Sequence, residues 1–304
     1  MFFDYNVLDD SEKLIYALRS LFRQAGFTQY RMSKFEEYDF YSKNKDFLVS
    51  ENIITFTDTN GKLMALRPDV TLSIIKNYGN SPDKIQKLCY NENVYRVSGG
   101  SGIFEEIAQS GVECIGSVDD QCISDLINLA LCSLALAGEN FVLEISQLDI
   151  LAKAINRITD DYEIKRRITE LVSEKNTHDL EKLCCENAKE KDSWILLLNL
   201  LELYGTAKEV LPKLEILCAN ADLDLEYKRF KDVLKTLEGT KYEDAIRIDF
   251  SLVDNMNYYN GIIFKGFVEG IPESVLSGGQ YDSLMKRMDK ESRGIGFAVY
   301  LENF

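Results

Sequence analysis

The sequence predicts an α+β fold in which antiparallel strands at both ends of the chain are interrupted by a block of helices. Three observations carry this. β-Rich runs with turn signals such as Asn60-Gly61 lie within the first 150 residues. From about Leu151 to Gly239 strand signals vanish and leucines recur at helical spacing. Near Ala245 a strict two-residue alternation returns. Segregated runs of strands and helices are the α+β pattern, here with an insertion. Residues 1–150 and 241–304 read as one core domain, and 151–240 as an inserted all-helical domain.

The first element is an amphipathic helix. Asp9 and Glu12 have capping-box spacing, Leu14, Ile15, Leu18, Leu21 and Phe22 form one stripe, and Gly26 stops it. Ile53 to Arg67 reads as a hairpin around Asn60-Gly61. Pro68 closes its second strand, and Val70 to Tyr78 forms a short helix. Lys87 to Val97 and Ile103 to Ile115 are strands joined by Gly99-Gly100-Ser101-Gly102, a flexible hairpin tip in preference to a phosphate cradle. Ile123 to Leu136 is helical, and Phe141 to Ile145 is a short strand. In the helical block a leucine stripe surrounds Trp194, which is core in preference to interface, and His178 sits among charges as a solvated residue. Then Ile246, Ile248, Phe250 and Leu252 face one way, and Arg247, Asp249 and Ser251 the other. Asn260-Gly261 reads as a second hairpin turn before Ile262 to Val268. Ser277-Gly278-Gly279 reads as a turn opening a helix at Tyr281. Gly294 to Val299 is the last strand, leading into a helix barely begun at Phe304.

Composition narrows the function classes. The 304 residues carry 35 Lys+Arg against 50 Asp+Glu, a net charge of −15, which argues against phosphate-backbone binding. The helical insert holds 15 basic and 18 acidic residues and the remainder 20 and 32, so most of the excess sits on the core. Hydrophobic content of 45% and four prolines exclude an extended disordered chain. Seven cysteines (89, 114, 122, 132, 184, 185, 218) form no CxxC pair, and with one histidine a Cys/His zinc site is not expected. Scattered, odd-numbered cysteines fit a reducing cytosol. Met1-Phe-Phe-Asp-Tyr-Asn lacks a basic n-region, and the apolar stretch Asp125 to Ala137 is too short to span a bilayer. A cytoplasmic protein without cofactor, metal or membrane is expected.

Five collinear segments then resemble one family. Leu66-Arg67-Pro68-Asp69-Val70-Thr71 resembles the Leu-Arg-Pro-Glu-x-Thr segment of histidyl-tRNA synthetases. Asn93-Val94-Tyr95-Arg96 with Gln109-Ser110-Gly111-Val112-Glu113-Cys114-Ile115-Gly116 resembles class II motif 2. Asn257-Tyr258-Tyr259-Asn260-Gly261 resembles the histidine-specific segment. Gly278-Gly279-Gln280-Tyr281-Asp282 and Gly294-Ile295-Gly296-Phe297-Ala298-Val299-Tyr300-Leu301-Glu302 resemble the run into motif 3. The resemblance implies a class II synthetase-like core, a six-stranded antiparallel sheet flanked by helices, that dimerises.

The departures matter as much. Arg96 keeps the motif 2 arginine, but Asp254 stands at the histidine-specific arginine and Asn303 at the motif 3 arginine. The motif 2 loop, Gly102-Ile-Phe-Glu-Glu-Ile, lacks two more arginines, and Met32-Ser33-Lys34-Phe35-Glu36 lacks the motif 1 proline. Losing one preorganised transition-state donor costs about 3–4 kcal/mol, or roughly 10²–10³ in rate. Two such losses leave little adenylation activity, so no catalytic residue is expected. The chain also ends at motif 3, where the family continues into an anticodon-binding domain, so tRNA binding is not expected.

What the resemblance leaves is an amino-acid pocket. By position, Asp69, Thr71 and Gln109 correspond to the family's contacts to the substrate α-amine, and Glu113 and Tyr259 to its contacts to the imidazole, with Arg96 and Tyr258 alongside. A carboxylate and an amide suit an ammonium group, and a carboxylate–phenol pair suits two ring N–H groups. Asp69 can alternatively do no more than cap the helix after Pro68, and Arg96 can pair with a local acid. Gln109 and Glu113, four apart on a strand, share a face, whereas Tyr258 and Tyr259 would point to opposite faces, leaving only one in the pocket.

A histidine pocket without adenylation chemistry resembles a paralogous family, the regulatory subunits of ATP phosphoribosyltransferase. That resemblance implies a short-form catalytic subunit as partner in a hetero-octamer, with histidine as feedback effector. Two other readings stay open: a truncated ligase that activates histidine for a non-tRNA acceptor, and a synthetase-like RNA-binding regulator.

Overall fold

The structure, a computed structural model, describes residues 7–45, 48, 53–79, 81, 83–97, 102–253, 256, 258–302 and 304. Asp254, Asn257, Asn303, Gly99, Gly100 and Ser101, named above, lie outside the described residues. Helix α1 (Asp10–Gln24) begins with the expected capping box: Asp9 accepts from the Glu12 N–H and Glu12 from the Asp9 N–H. Its buried stripe is Leu14, Leu18 and Phe22, and Gly26 ends it at φ +86°, a conformation that costs glycine little. Strands β1 (Thr28–Gln29) and β2 (Phe35–Glu37) and the short helix α2 (Tyr38–Ser42) follow, with too few residues to show a period in sequence.

Strands β3 (Thr55–Thr57) and β4 (Leu63–Leu66) form the expected hairpin. Its loop closes on Asp58, whose carboxylate accepts from the Asn60 and Lys62 N–H groups, so it is longer than a two-residue Asn-Gly turn. With β2 they make a small three-stranded sheet. Helix α3 (Val70–Asn77) is capped by Asp69. The long hairpin β5 (Gln86–Val97) and β6 (Phe104–Gly116), helix α4 (Asp120–Ala137) and strand β7 (Phe141–Gln147) complete the first part.

The stretch read as helical holds α5 (Leu148–Ile158), α6 (Tyr162–Ser173), α7 (Thr177–Asn187), α8 (Ile195–Leu201), β8 (Tyr204–Gly205), α9 (Ala207–Ala219) and α10 (Asp224–Thr236). Strands β9 (Ile246–Asp249), β10 (Ile262–Val268) and β11 (Leu276–Gln280), helix α11 (Asp282–Arg287) and strand β12 (Arg293–Tyr300) end the chain's regular structure. The main sheet runs β1-β5-β6-β12-β11-β10-β7-β9-β8. Its middle six strands, β5 to β7, are antiparallel throughout, as expected. Three short strands extend it: β1 joins parallel to β5, β9 parallel to β7, and β8, inside the stretch read as free of strands, pairs with β9.

Three local expectations are corrected. Asn260-Gly261 is not a hairpin turn, because β10 pairs with β7 and β11 while β9 lies beyond β7. Ser277-Gly278-Gly279 is not a turn but the middle of β11; a Cβ on Gly278 would strike the Gly296 carbonyl and the Phe297 side chain, so glycine marks close approach there. The alternation after Ala245 stops at Asp249, whose carboxylate accepts from both the N–H and the hydroxyl of Ser251 and turns the chain.

The main core lies behind the sheet, where α1 and α4 cover it, and continues into α5–α10. Helix α4 is the one helix among the described residues long and apolar enough to cross a membrane, longer than the apolar stretch suggested. It buries Leu126, Ile127, Leu131 and Leu134 in this core. A second cluster, including Val70, Leu72, Tyr90, Tyr258 and Tyr281, sits on the opposite, front face and shapes the site.

Candidate functional site

The front face of the sheet is bare at its centre. Cross-strand registry places Glu113, Gly296, Gly279 and Ile263 in one row and Gly111, Ala298, Ser277 and Lys265 in the next. Glycine, alanine and serine therefore form a floor, over which stands a cavity of about 410 Å³. The floor tolerates nothing larger at Gly296, where a Cβ would fall on the Glu113 carboxylate.

All seven residues named from the sequence, Asp69, Thr71, Arg96, Gln109, Glu113, Tyr258 and Tyr259, line this one cavity. The first turn of α3 brings Asp69 and Thr71, β5 brings Arg96, β6 brings Gln109 and Glu113, and the segment before β10 brings the two tyrosines. Both tyrosines face the cavity, with ring centroids 4.6 Å apart, because that segment is not a strand and its side chains need not alternate.

Glu113 is the most enclosed of the carboxylic acids and cations lining the cavity, at 2% exposure. Its Oε1 accepts from the Thr71 hydroxyl at 2.5 Å and its Oε2 from the Tyr281 hydroxyl at 2.6 Å. Burial pushes its carboxyl up to about 8 despite these two bonds, and the nearby Asp69 charge adds to the rise. Thr71 and Glu113, assigned by resemblance to opposite ends of a ligand, are thus bonded to each other.

Asp69 has both roles considered for it. It accepts from the Leu72 N–H at 2.7 Å as the cap of α3 and also lines the cavity. Burial raises its carboxyl, while that cap bond and the Arg96 and Arg67 charges pull it down. Arg67 is fully buried and ties the Pro68 segment down through Glu92 (2.9 Å) and the Ser33 and Asn93 carbonyls (both 2.8 Å). Arg96 donates from Nε to the Pro68 carbonyl at 3.2 Å, which holds it beside Asp69.

Sequence reasoning missed Tyr281, Tyr90, Lys265, Ser277 and Tyr300, which line the same cavity. Lys265 carried a signal: it is the only charge in the otherwise apolar run Ile262–Val268. Tyr281 lay inside a quoted segment but was read as the start of a helix. Among the described residues no group of three His, Cys, Asp or Glu side chains could hold a metal ion.

The family model described as histidyl-tRNA synthetase matches residues 7–304. The ATP phosphoribosyltransferase regulatory subunit of Clostridium kluyveri is 32% identical over 289 residues, covering 93% of this chain and 74% of that protein. The protein of the same name from Caldanaerobacter subterraneus is 32% identical over 293 residues, covering 93% and 75%. Among solved structures, an ATP phosphoribosyltransferase regulatory subunit/histidyl-tRNA synthetase from Bacillus halodurans superposes with a TM-score of 0.83 at 21% identity, covering 96% of this chain and 77% of that one. An ATP phosphoribosyl transferase (HisG:HisZ) complex from Thermotoga maritima gives 0.74 at 18% identity, covering 99% and 98%. These structural likenesses agree with the six antiparallel strands and the helices around them. With 32% identity over nearly the whole length and a family model spanning residues 7–304, this chain belongs to the histidyl-tRNA synthetase family and, within it, to the ATP phosphoribosyltransferase regulatory subunits.

Proposed function

We propose that this chain is the non-catalytic regulatory subunit of ATP phosphoribosyltransferase, required for the first step of histidine biosynthesis and for feedback inhibition by histidine. The observation that carries the reading is the convergence of Asp69, Thr71, Gln109, Glu113 and Tyr259 on one cavity of about 410 Å³. Its acids and hydroxyls suit the ammonium and ring N–H groups of histidine. The described lining has two cations, Arg96 and Lys265, and the sequence has Asp254 and Asn303 where the family has arginines. That is a poor setting for a triphosphate, which supports loss of adenylation. The likeness to a chain of the Thermotoga maritima complex supports a short-form catalytic subunit as partner. Dimers of this chain inside a cytoplasmic hetero-octamer complete the proposal.

The test is to mix the full chain with a short-form catalytic subunit, follow assembly by size-exclusion chromatography, and assay the chain alone for histidine-dependent pyrophosphate exchange. Co-elution without exchange is expected. Robust exchange would move the protein to the ligase reading, and salt-sensitive tRNA binding would favour the RNA-binding one.

A further inference from the structure

A second cavity, of about 330 Å³, lies behind the sheet between α1, α4 and the β5–β6 hairpin. Its lining includes Cys114, Cys122, the half-buried Lys87 and the exposed Asp125. Cys114 follows Glu113 on β6, so strand alternation turns its side chain away from the front face and toward α4. Cys122 sits in the first turn of α4, where its N–H donates to the Asp119 carboxylate at 2.8 Å. The two thiols are close enough to hydrogen-bond to each other. Lys87 is the cross-strand partner of Cys114 on β5, and its charge reaches both sulfurs.

The two sulfurs are not equivalent. The bond from Cys114 and the Lys87 charge hold the Cys122 thiol below its ordinary value, against burial and the Asp119 and Asp125 charges. The same bond and burial push the Cys114 thiol up. Cys122 is therefore the thiol that ionises and Cys114 the one that keeps its proton, the pairing of an attacking thiolate with a resolving thiol. Cys122 is 7% exposed on the wall of a cavity that the exposed Asp125 also lines, within reach of a small oxidant. Cys132 lines the same cavity, but ten residues further along α4 put it about 15 Å from Cys122.

We propose that Cys114 and Cys122 are a redox-active pair that closes to a disulfide on exposure to a peroxide. The Cys122 thiolate attacks one peroxide oxygen: an S–O bond forms, the O–O bond breaks, and the released hydroxide takes up a proton to leave as water. The Cys114 sulfur then attacks the Cys122 sulfenic acid: the S–S bond forms, the S–O bond breaks, and the Cys114 proton leaves with the hydroxyl as a second water. Two thiols are oxidised and one peroxide is reduced to two waters. The bond clamps the first turn of α4 to β6 directly behind Glu113. It does not depend on what the front cavity binds.

The experiment treats the folded full chain with hydrogen peroxide, quenches in acid, unfolds it in N-ethylmaleimide and identifies the peptides by mass spectrometry without reduction. The expected product is the Cys114 peptide linked to the Cys122 peptide, with loss of two hydrogens and of two of the seven alkylation sites, formed before the exposed Cys185 is oxidised and reversed by dithiothreitol. Cys114→Ser should lose the link and accumulate a dimedone-reactive sulfenic acid at Cys122. Cys122→Ser should lose the link and leave Cys114 reduced. A thermal melt of each variant checks folding. Full alkylation of Cys114 and Cys122 in the wild-type chain after Cys185 has been oxidised would overturn the proposal, as would a link from either residue to a different cysteine.

Discussion

The Thr71 hydroxyl donates to Glu113 Oε1 at 2.5 Å, tying the first turn of α3 to β6 in the wall of the cavity. Tyr281 donates to the second carboxyl oxygen, so each oxygen already accepts one bond and has one lone pair left for a ligand donor. Glu113→Gln keeps the shape and removes the ionisable group. It should weaken histidine binding by about ten- to hundredfold, the value of one charge-assisted hydrogen bond, as read by calorimetry. An unchanged dissociation constant would remove Glu113 from the site.

The Glu113 carboxyl, pushed up to about 8 by burial, sets a pH dependence of stability. Its ordinary value in the unfolded chain is about 4.3, so between these limits the folded state holds the extra proton. The contribution is therefore present below the unfolded value and is lost as pH rises through 8, on the order of 5 kcal/mol in all. Asp69, also raised by burial, acts in the same direction. Denaturation at pH 5 and pH 8.5 should show wild type losing more stability than Glu113→Gln over this interval. Parallel curves would mean that Glu113 is ionised in the folded chain.

Histidine affinity should follow a bell. A free imidazole titrates near 6.5 and Glu113 near 8, and in the proposed complex the pair would share one proton between ring and carboxyl. Below about 6.5 a proton must leave on binding and above about 8 one must be gained, so affinity falls up to about tenfold per pH unit outside that window. Calorimetry across pH 5.5–9 measures this, and proton uptake read in buffers of different ionisation enthalpy checks the sign. Glu113→Gln should lose the alkaline limb.

How much of this was legible in the sequence depends on the kind of constraint. Local chemistry was: the Asp9–Glu12 capping box, the Asp69 cap after Pro68, and the β5–β6 hairpin are set by neighbours within a few residues. The seven lining residues were found through collinear resemblance, not through any short-range pattern. What failed was non-local. Gly278 reads as a turn until β12 is laid against it, and Asn260-Gly261 reads as a hairpin until β7 inserts between β10 and β9. Tyr258 and Tyr259 were separated by a strand alternation that their segment does not have. Lys265 had the clearest unread signal, a lone charge in an inner strand.

The glycine floor gives a steric test. Gly296→Ala would press a methyl group onto the Glu113 carboxylate from the adjacent strand. Overpacking of this sort costs about 1–3 kcal/mol, and here it would also displace the carboxyl proposed to hold the imidazole. Histidine binding should be lost below detection, with melting lowered by several degrees. Normal binding would show that the ligand does not lie on this floor.

Side chains of α6 and of the turn after it touch the site's supports. Lys175, between α6 and α7, pairs with the buried Asp249 at 3.0 Å, and the Thr169 hydroxyl lies 3.7 Å from the sulfur of Met256, two residues before Tyr258. The Lys175 side chain is 64% exposed, and Asp249 keeps its two Ser251 donors. Lys175→Met should therefore cost only about 1 kcal/mol of stability in a denaturant melt, as screened pairs do, and not the about 3–5 kcal/mol of an uncompensated buried charge.

The most direct test of the account is the rate of phosphoribosyl transfer by the catalytic subunit reconstituted with this chain, measured against histidine concentration for wild type and for Glu113→Gln. The account predicts that the rate depends on this chain, that histidine suppresses it, and that Glu113→Gln shifts the inhibition curve to at least about tenfold higher histidine while the uninhibited rate stays near wild type. A catalytic subunit that is fully active and equally histidine-sensitive without this chain would contradict it.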